Sequence, residues 1–411
     1  MMLANQTMSL DNGPLQGVRI VDFGHVLAGP YCTMLLGAMG AEIIKIESMK
    51  RPDEQRVQHG NGISKEVDAS TNFLEVNLNK LSATINLSTP KGQDLARKLV
   101  GICDVVVENM RPGVMDKLGL GYDKLVNIKS DIIMASLSGF GSKGPYRSFT
   151  AYNPCFSSFG GAAHLSGYAD GEPNTMTSAG DARAGTAGAF AILMALNIRQ
   201  RSGKGQFIDL SSVEVHNFTI GDQMMDFAMN GRSPKREGNR DPIMAPHNCY
   251  RCNGQDSWIS IAISAESECQ GLVAAMGSPD WTKDQDFSTS TMRWKNQDRL
   301  DQLITHWTSD QDADQLTFLL QKHGVAAAPS YKSSELFSHE HLLARKAITE
   351  IDHPIIGHRK TIAPPWRMSK TPVHVRKTAP LMGEDNHYVF CDLLGLSQEE
   401  VKTLTDEKVI Y

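Results

Sequence analysis

The 411-residue sequence contains no apolar run near the roughly 18 residues a membrane-spanning helix needs. Its longest candidate, Gly188–Leu196, is roughly half that length. Positive charge is not in excess. There are 41 Lys and Arg against 46 Asp and Glu, a formal net charge of −5, which excludes a chain whose main task is to coat nucleic acid. Cysteine is sparse and odd in number, seven in all, which predicts free thiols in a reducing cytoplasm rather than a disulfide framework. Met1–Gly13 is polar and lacks the basic-then-apolar pattern of a secretory leader, so a cytoplasmic protein with no membrane partner is expected. No internal repeat or low-complexity stretch stands out.

Several catalytic and metal signatures are also missing. There is no G-x-x-x-x-G-K-[ST] phosphate loop, and Ser136 and Ser138 lie in no G-x-S-x-G context. Cys249 and Cys252 form a C-x-x-C with His247 beside it, but no second pair completes the four ligands of a zinc site. His339 and His341 flank Glu340 at a spacing that matches no helical metal face. No metal is expected.

What is present reads as a soluble globular chain, with 41% hydrophobic and 21% charged residues. At about 150 residues per domain the length predicts two to three domains. Thirty-five glycines beside only 7% aromatics suggest the many tight turns of an α/β enzyme. Val18–Phe23 predicts a strand, Tyr31–Met39 a helix and Ala41–Glu47 a second strand, the size of a parallel crossover unit. The alternation continues with strands at Ala83–Leu87, Asp104–Glu108 and Ile132–Leu137. Helices fall at Pro90–Leu99, with proline where its missing N–H does no harm, and at Gly113–Leu118. Such alternation predicts a parallel sheet covered on both faces. Ala182–Arg199 is the longest expected helix, followed by a strand at Gln206–Leu210 and a helix at Val213–Met229. Arg232–Pro246 is polar and proline-rich, and Asn253-Gly254 between Tyr250–Cys252 and Trp258–Ile263 predicts a tight hairpin. A smaller domain is expected at 231–330, and the tail carries a helix at Gln398–Leu404.

Two segments invite a chemical reading. Gly139-Phe-Gly-Ser-Lys-Gly144 matches G-x-G-x-x-G after a strand, but Pro145 and Tyr146 come next, where a phosphate-holding helix should open. A glycine-rich loop is the expectation, not a dinucleotide site. Asp181, in Ser178-Ala-Gly-Asp-Ala-Arg183, precedes the long apolar helix. An N-cap aspartate explains that position. A nucleophilic carboxylate, approached closely past Gly180 and Gly185, is the other reading, and the two can coexist.

These residues are part of a wider pattern. Leu15-Gln-Gly-Val-Arg-Ile-Val-Asp-Phe23, His25-Val-Leu-Ala-Gly-Pro30, Gly40-Ala-Glu-Ile-Ile-Lys-Ile-Glu47 and Asn79-Lys80 occur in order. Thr89-Pro-Lys-Gly92, Val107-Glu-Asn-Met-Arg-Pro-Gly113, Gly180-Asp181 and Pro380-Leu-Met-Gly-Glu384 come after them. Together they resemble the class III coenzyme A transferases, the family of formyl-CoA:oxalate and carnitine CoA-transferases, whose sister branch holds α-methylacyl-CoA racemase. The resemblance implies a Rossmann-like large domain built from both chain ends (14–230 and 331–411), a smaller α+β domain between them, and an interlocked dimer. It implies CoA transfer from an acyl-CoA to a free carboxylic acid, with Asp181 as covalent nucleophile and CoA as substrate, without a permanently bound cofactor. Leu27, Ala28, Asn86, Leu87, Ser88, Asn109, Met110, Arg111 and Lys117 then correspond to CoA contacts. His25, Val26, Tyr152 and Asn153 correspond to the substrate side.

The departures shape the expectation. Leu27 replaces a glutamine of formyl-CoA transferases, Asn153 replaces a glutamate, and their small-domain glycine loop has no counterpart, so an acceptor larger or less polar than oxalate is expected. Ser48 stands where an arginine often meets CoA phosphate; Lys50, Arg51 or Arg56 are the candidate substitutes. A racemase is the alternative activity, but Thr150-Ala-Tyr-Asn153 stands where racemases carry Gly-His-Asp. One subunit of a hetero-oligomeric transferase is the other alternative.

Overall fold

The structure is a computed structural model, and it describes residues 13–57, 67–175 and 179–411. The chain divides into two compact units. One takes residues up to Ala163, Thr175–Arg232 and Glu340–Tyr411; the other takes His164–Asn174 and Ser233–His339.

The first unit is organised by strands β1 (Arg19–Asp22), β2 (Glu42–Glu47), β3 (Lys80–Thr84), β4 (Val105–Glu108), β5 (Ile133–Ser138) and β6 (Phe207–Ser211). They form one six-stranded sheet in the order β3-β2-β1-β4-β5-β6, with every neighbouring pair parallel. This is a doubly wound order in which the chain reverses direction across the sheet between β1 and β4. Ile20 pairs with Ile43 on one side and with Val105 on the other. The strands are apolar on both faces because both are covered. Val21, Ile44, Val106 and Met134 face a core with Leu95, Leu99 and the C-terminal Phe390 and Ile410. Ile20, Ile43, Val107 and Ala135 face the opposite core, with Leu35, Leu36 and Ile192.

Local chemistry sets the helices. Pro90–Gly101 starts on Thr89, whose hydroxyl accepts the Gly92 N–H at 3.0 Å. The longest helix is Ala179–Ser202, packed on the Ala28–Ala38 helix through small residues. A Cβ at Gly185 would come within 2.8 Å of Ala28 O, and one at Gly188 within 2.8 Å of Leu137. The last segment of the chain is bound to the sheet edge: Asn79 N–H donates to Lys377 O at 3.0 Å, and Ser82 N–H to Asp385 Oδ2 at 2.8 Å.

The second unit carries an antiparallel sheet of β7 (His247–Arg251), β8 (Trp258–Ala262) and β9 (Ala326–Pro329). Ile259 and Ile261 pack there with Leu272, Ile304, Leu316 and Leu320. His164–Asn174 belongs to this unit although it precedes the long helix; Gly238 N–H donates to Gly167 O at 2.9 Å. Bonds between segments so far apart leave no local trace in sequence.

Several elements differ from the sequence reading. The third strand is Lys80–Thr84, not 83–87. Val213–Met229 is two helices, Ser212–Thr219 and Gly221–Asn230, because Ile220 (φ −113°, ψ 30°) leaves helical geometry. β7 and β8 are joined by Cys252–Ser257 rather than a two-residue Asn-Gly turn, with both Gly254 and Asp256 at positive φ. Strands β10 (Ile348–His353) and β11 (Gly357–Ile362) were not anticipated. Their largely polar, largely exposed alternation, such as Gly-His-Arg-Lys-Thr-Ile, carries little hydrophobic period to read. Among the described residues no helix is long and apolar enough to cross a membrane.

Candidate active site

The parallel sheet places its strand ends along one rim, and a cleft of 630 Å³ opens there. Its wall is made by the segments leaving the strands: His25–Ala28 after β1, Ser48, Lys50 and Arg51 after β2, and Ile85–Ser88 after β3. Asn109–Pro112 leave β4, Gly139 and Phe140 leave β5, and Ser212 leaves β6. Open α/β sheets bind ligands at this rim, where the strand order reverses.

The turn after β1 is braced from three directions. Asn109 clamps His25, its Oδ1 accepting the His25 N–H and its Nδ2 donating to His25 O, both at 2.8 Å. Asp53 Oδ1 accepts the Val26 N–H at 3.0 Å. Lys45 Nζ donates to Gly24 O at 2.7 Å and to Asp53 Oδ2 at 2.9 Å. On the far wall, Asn86 Oδ1 accepts from Ser88 Oγ at 2.7 Å, and Lys50 Nζ reaches the same hydroxyl at 3.0 Å.

Asp181 enters the cleft from the front of the Ala179–Ser202 helix. It lies inside the first turn rather than at an N-cap preceding it, which corrects the helix start at 182; residues 176–178 lie outside the described residues. Burial pushes its carboxyl up to about 6. Among the described residues no cation forms an ion pair with it, and the helix N-terminus supplies the favourable field an anion needs there. Gly180 is required: a Cβ there would stand 2.0 Å from Asn153 Oδ1 and 2.6 Å from His216 Nε2.

The cleft gathers His25, Val26, Leu27, Ala28, Asn86, Leu87, Ser88, Asn109, Met110, Arg111, Tyr152 and Asp181. Two other residues singled out in the sequence stand off it. Asn153 is buried behind Gly180, at the start of the Asn153–Phe159 helix. Lys117 is exposed on the Val114–Lys117 helix, whose Val114 lines the cleft instead. Of the basic candidates near Ser48, Lys50 and Arg51 line the wall. Arg56 does not: it is fully buried, paired with Glu47 at 2.9 Å and with Asp68, and stacked 3.6 Å from the centre of the Phe73 ring. That guanidinium is committed to the fold.

Sequence reasoning missed Arg147 and Phe149, both on the wall. They lie beyond the glycine-rich loop, which runs after β5 without opening a helix until Asn153. The rule that sites gather after parallel strands pointed to this loop; its likeness to a dinucleotide motif drew attention to the glycines instead. The seven cysteines are free thiols, with Cys249 and Cys252 on β7 and just after it. No group of His, Cys, Asp or Glu among the described residues could hold a metal ion.

Comparison with known proteins bears on this cleft. Residues 15–386 match the model of CoA-transferase family III. The chain is 36% identical to the succinyl-CoA:D-citramalate CoA-transferase of Chloroflexus aurantiacus, over 97% of this chain and 98% of that one. It is 32% identical to the alpha subunit of a succinyl-CoA:L-malate CoA-transferase of Chloroflexus aurantiacus, over 97% and 92%. Among solved structures, a CaiB/BaiF family protein of Brucella suis superposes with a TM-score of 0.84 at 31% identity, covering 93% of this chain and all of that one.

Proposed function

The chain belongs to CoA-transferase family III, and on that premise we propose that it moves coenzyme A from succinyl-CoA to a free carboxylic acid through a covalent intermediate on Asp181. The observation that carries the reading is the Asp181 carboxylate, half-buried without an ion-pair partner among the described residues, in the cleft at the strand ends. With a pKa of about 6 it is mostly ionised at neutral pH, yet poorly solvated, which favours attack on an acyl carbon.

The chemistry balances without a redox step. An Asp181 oxygen attacks the donor thioester carbonyl; the C–S bond breaks, leaving an acyl-aspartyl anhydride and CoA thiolate. The thiolate attacks the aspartyl carbonyl, releasing the donor carboxylate and forming an aspartyl-CoA thioester. The acceptor carboxylate attacks that thioester, again expelling thiolate, which then takes the acceptor acyl group and frees Asp181. The thiolate must remain beside Asp181 between steps, so the nucleotide arm has to be held. Leu27, Ala28, Asn86–Ser88 and Asn109–Arg111 form that holding surface, with Lys50 and Arg51 as its cations near Ser48. Lys117 serves at most as an outer cation, and Asn153 acts behind Gly180 rather than on the substrate. Succinyl-CoA as donor is supported by relatives named for it. The acceptor is a carboxylic acid larger than oxalate, on the side of the cleft lined by Phe140, Phe149 and Tyr152.

The working unit in this reading is a dimer of two copies, interlocked as in the family. An exposed apolar stripe supports association. Phe190, Met194 and Ile198 recur at four-residue spacing on the long helix, opposite its buried face, with Phe218 90% exposed nearby. Sedimentation at twice the chain mass is expected; a complex formed only with a second kind of chain points to the hetero-oligomer, as the subunit name of one relative suggests. Seven free thiols support a reducing cytoplasm as its location.

The test is mass spectrometry of Asp181 during turnover with succinyl-CoA and a panel of acids, with hydroxylamine as trap. An adduct on Asp181 is expected. Deuterium entering an acyl-CoA α-carbon from heavy water, with no adduct and no transfer, would instead establish the racemase alternative.

A further inference from the structure

The turn between β1 and the Ala28–Ala38 helix contains a backbone anomaly. Val26 has φ +67°. Among the described residues the other non-glycine ones at positive φ are Asn79, Asp256, Ser278, Lys346 and Lys408, so Val26 is the β-branched one in that set. For a β-branched residue this conformation is a true outlier, and such strain persists only where the surroundings impose it. The surroundings are identifiable. Asp53 Oδ1 accepts the Val26 N–H at 3.0 Å and the Gln55 N–H at 2.9 Å. Asp53 Oδ2 accepts from Lys45 Nζ at 2.9 Å, both side chains 0% exposed. The same ammonium donates to Gly24 O at 2.7 Å, so one cation holds the start of the turn directly and its centre through Asp53. Asp53 is tied down in turn, its own N–H donating to Glu47 Oε1 at 3.1 Å.

The turn also touches the helix that carries the nucleophile. A Cβ at Gly185, one turn along from Asp181, would stand 2.8 Å from Ala28 O. Val26, Leu27 and Ala28 line the cleft with Asp181. We infer that Asp53, gripped by Lys45, is a positioning residue that forces Val26 into the left-handed conformation and so holds the His25–Ala28 wall at the distance from Asp181 that acyl transfer requires. This rests on the transferase reading above. Burial opposes a charge on Asp53, yet Lys45 beside it keeps its carboxyl below the usual range, so the brace stays ionised across the working pH range.

The experiment uses the full chain and three variants, with wild-type turnover and the Asp181 adduct measured first. Asp53→Asn offers one oxygen to three donors, so either the Val26 and Gln55 N–H groups or Lys45 meets the amide nitrogen instead. It is expected to lower kcat about tenfold or more while KM for succinyl-CoA moves less than about threefold. Val26→Gly added to Asp53→Asn is expected to recover most of that loss, because glycine adopts positive φ without strain. A role confined to fold stability does not predict this rescue. Val26→Pro leaves the Lys45–Asp53 pair intact but sets φ near about −65° and deletes the N–H, with an expected kcat loss of about a hundredfold in a folded protein. This variant decides the matter if Asp53→Asn does not fold. A kcat within about threefold of wild type in Val26→Pro or Asp53→Asn overturns the inference, as does a double variant no faster than Asp53→Asn. If the wild type itself shows no transfer and no Asp181 adduct, it is the transferase reading that fails.

Discussion

Two groups of buried carboxylates lie along the same sheet rim, and their environments are opposite. At the β1–β3 end, Asp22 is paired with Lys80, Asp53 with Lys45 and Glu47 with Arg56, each at 2.9 Å and each side chain 0% exposed. Burial works against their charge, but the adjacent cations win: Lys80 and Lys45 hold Asp22, and Lys45 and Arg56 hold Glu47, below the ordinary carboxylate range. Asp181, only half-buried, has no such cation among the described residues, and burial pushes it up to about 6. Glu108, at the end of β4, goes up to about 7 for the same reason, although it accepts the Met110 N–H at 2.7 Å. A carboxylate with its lone pairs and charge committed to a neighbour can hold backbone in place but cannot attack a substrate. One left without a counter-ion is costly to the fold and free to react.

The largest effect that breaks this comparison is on activity. Asp181→Asn is expected to lower succinyl-CoA-dependent transfer by about 10⁴-fold or more, with an unchanged circular dichroism spectrum. Measurable transfer by the folded variant sinks the covalent role. The paired group answers with stability: Lys80→Met strands Asp22 and is expected to cost about 3–5 kcal/mol in urea unfolding. A cost under about 1 kcal/mol would mean that these pairs are not structural braces.

The pH responses should run in opposite directions. For Asp181 the folded pKa is raised, so its stabilising contribution is complete below the unfolded value and is lost as pH rises through about 6. The stability of the wild type relative to Asp181→Asn should therefore fall by on the order of 2–3 kcal/mol between about pH 4 and pH 8. For Asp22, Glu47 and Asp53 the folded values are lowered, so their contribution is present above the ordinary carboxylate range and is lost as pH falls below it. In kinetics, kcat/KM should rise with pH around about 6 as Asp181 ionises; a profile flat from pH 5 to 8 argues against Asp181 as the titrating group. The smallest effect belongs to an exposed pair. Lys91→Ala removes the Lys91–Glu407 contact, 61% and 40% exposed, and should change stability by under about 1 kcal/mol.

Much of this was legible from the residues. β-branched runs at Arg19–Asp22 and Val105–Glu108, separated by helix-start chemistry such as Thr89-Pro90, specify a parallel doubly wound sheet, because each local preference agrees with the final fold. The same order places the turn at His25–Ala28 and the Asn109–Arg111 stretch at the strand ends, where the resemblance to the family had also pointed. What escaped has two causes. The polar hairpin of β10 and β11 carries little hydrophobic period, whereas the membership of His164–Asn174 in the second unit and the burial of Arg56 depend on partners outside their own segments. An arginine near a site reads as a ligand contact until its carboxylate partners and the Phe73 ring are located.

The sequence by itself determined the alternation of elements, which rests on residue types at short spacing, and the family, which rests on an ordered set of motifs along nearly the whole chain; that resemblance also singled out Asp181. Only the tertiary structure decided which carboxylates have a cation beside them and which do not. Aspartates 22, 53 and 181 are chemically identical as residues, and a charge is set by what stands within a few ångströms of it. The same is true of Val26: nothing in a valine announces positive φ, and the conformation is readable only once Asp53 and Lys45 are found holding it.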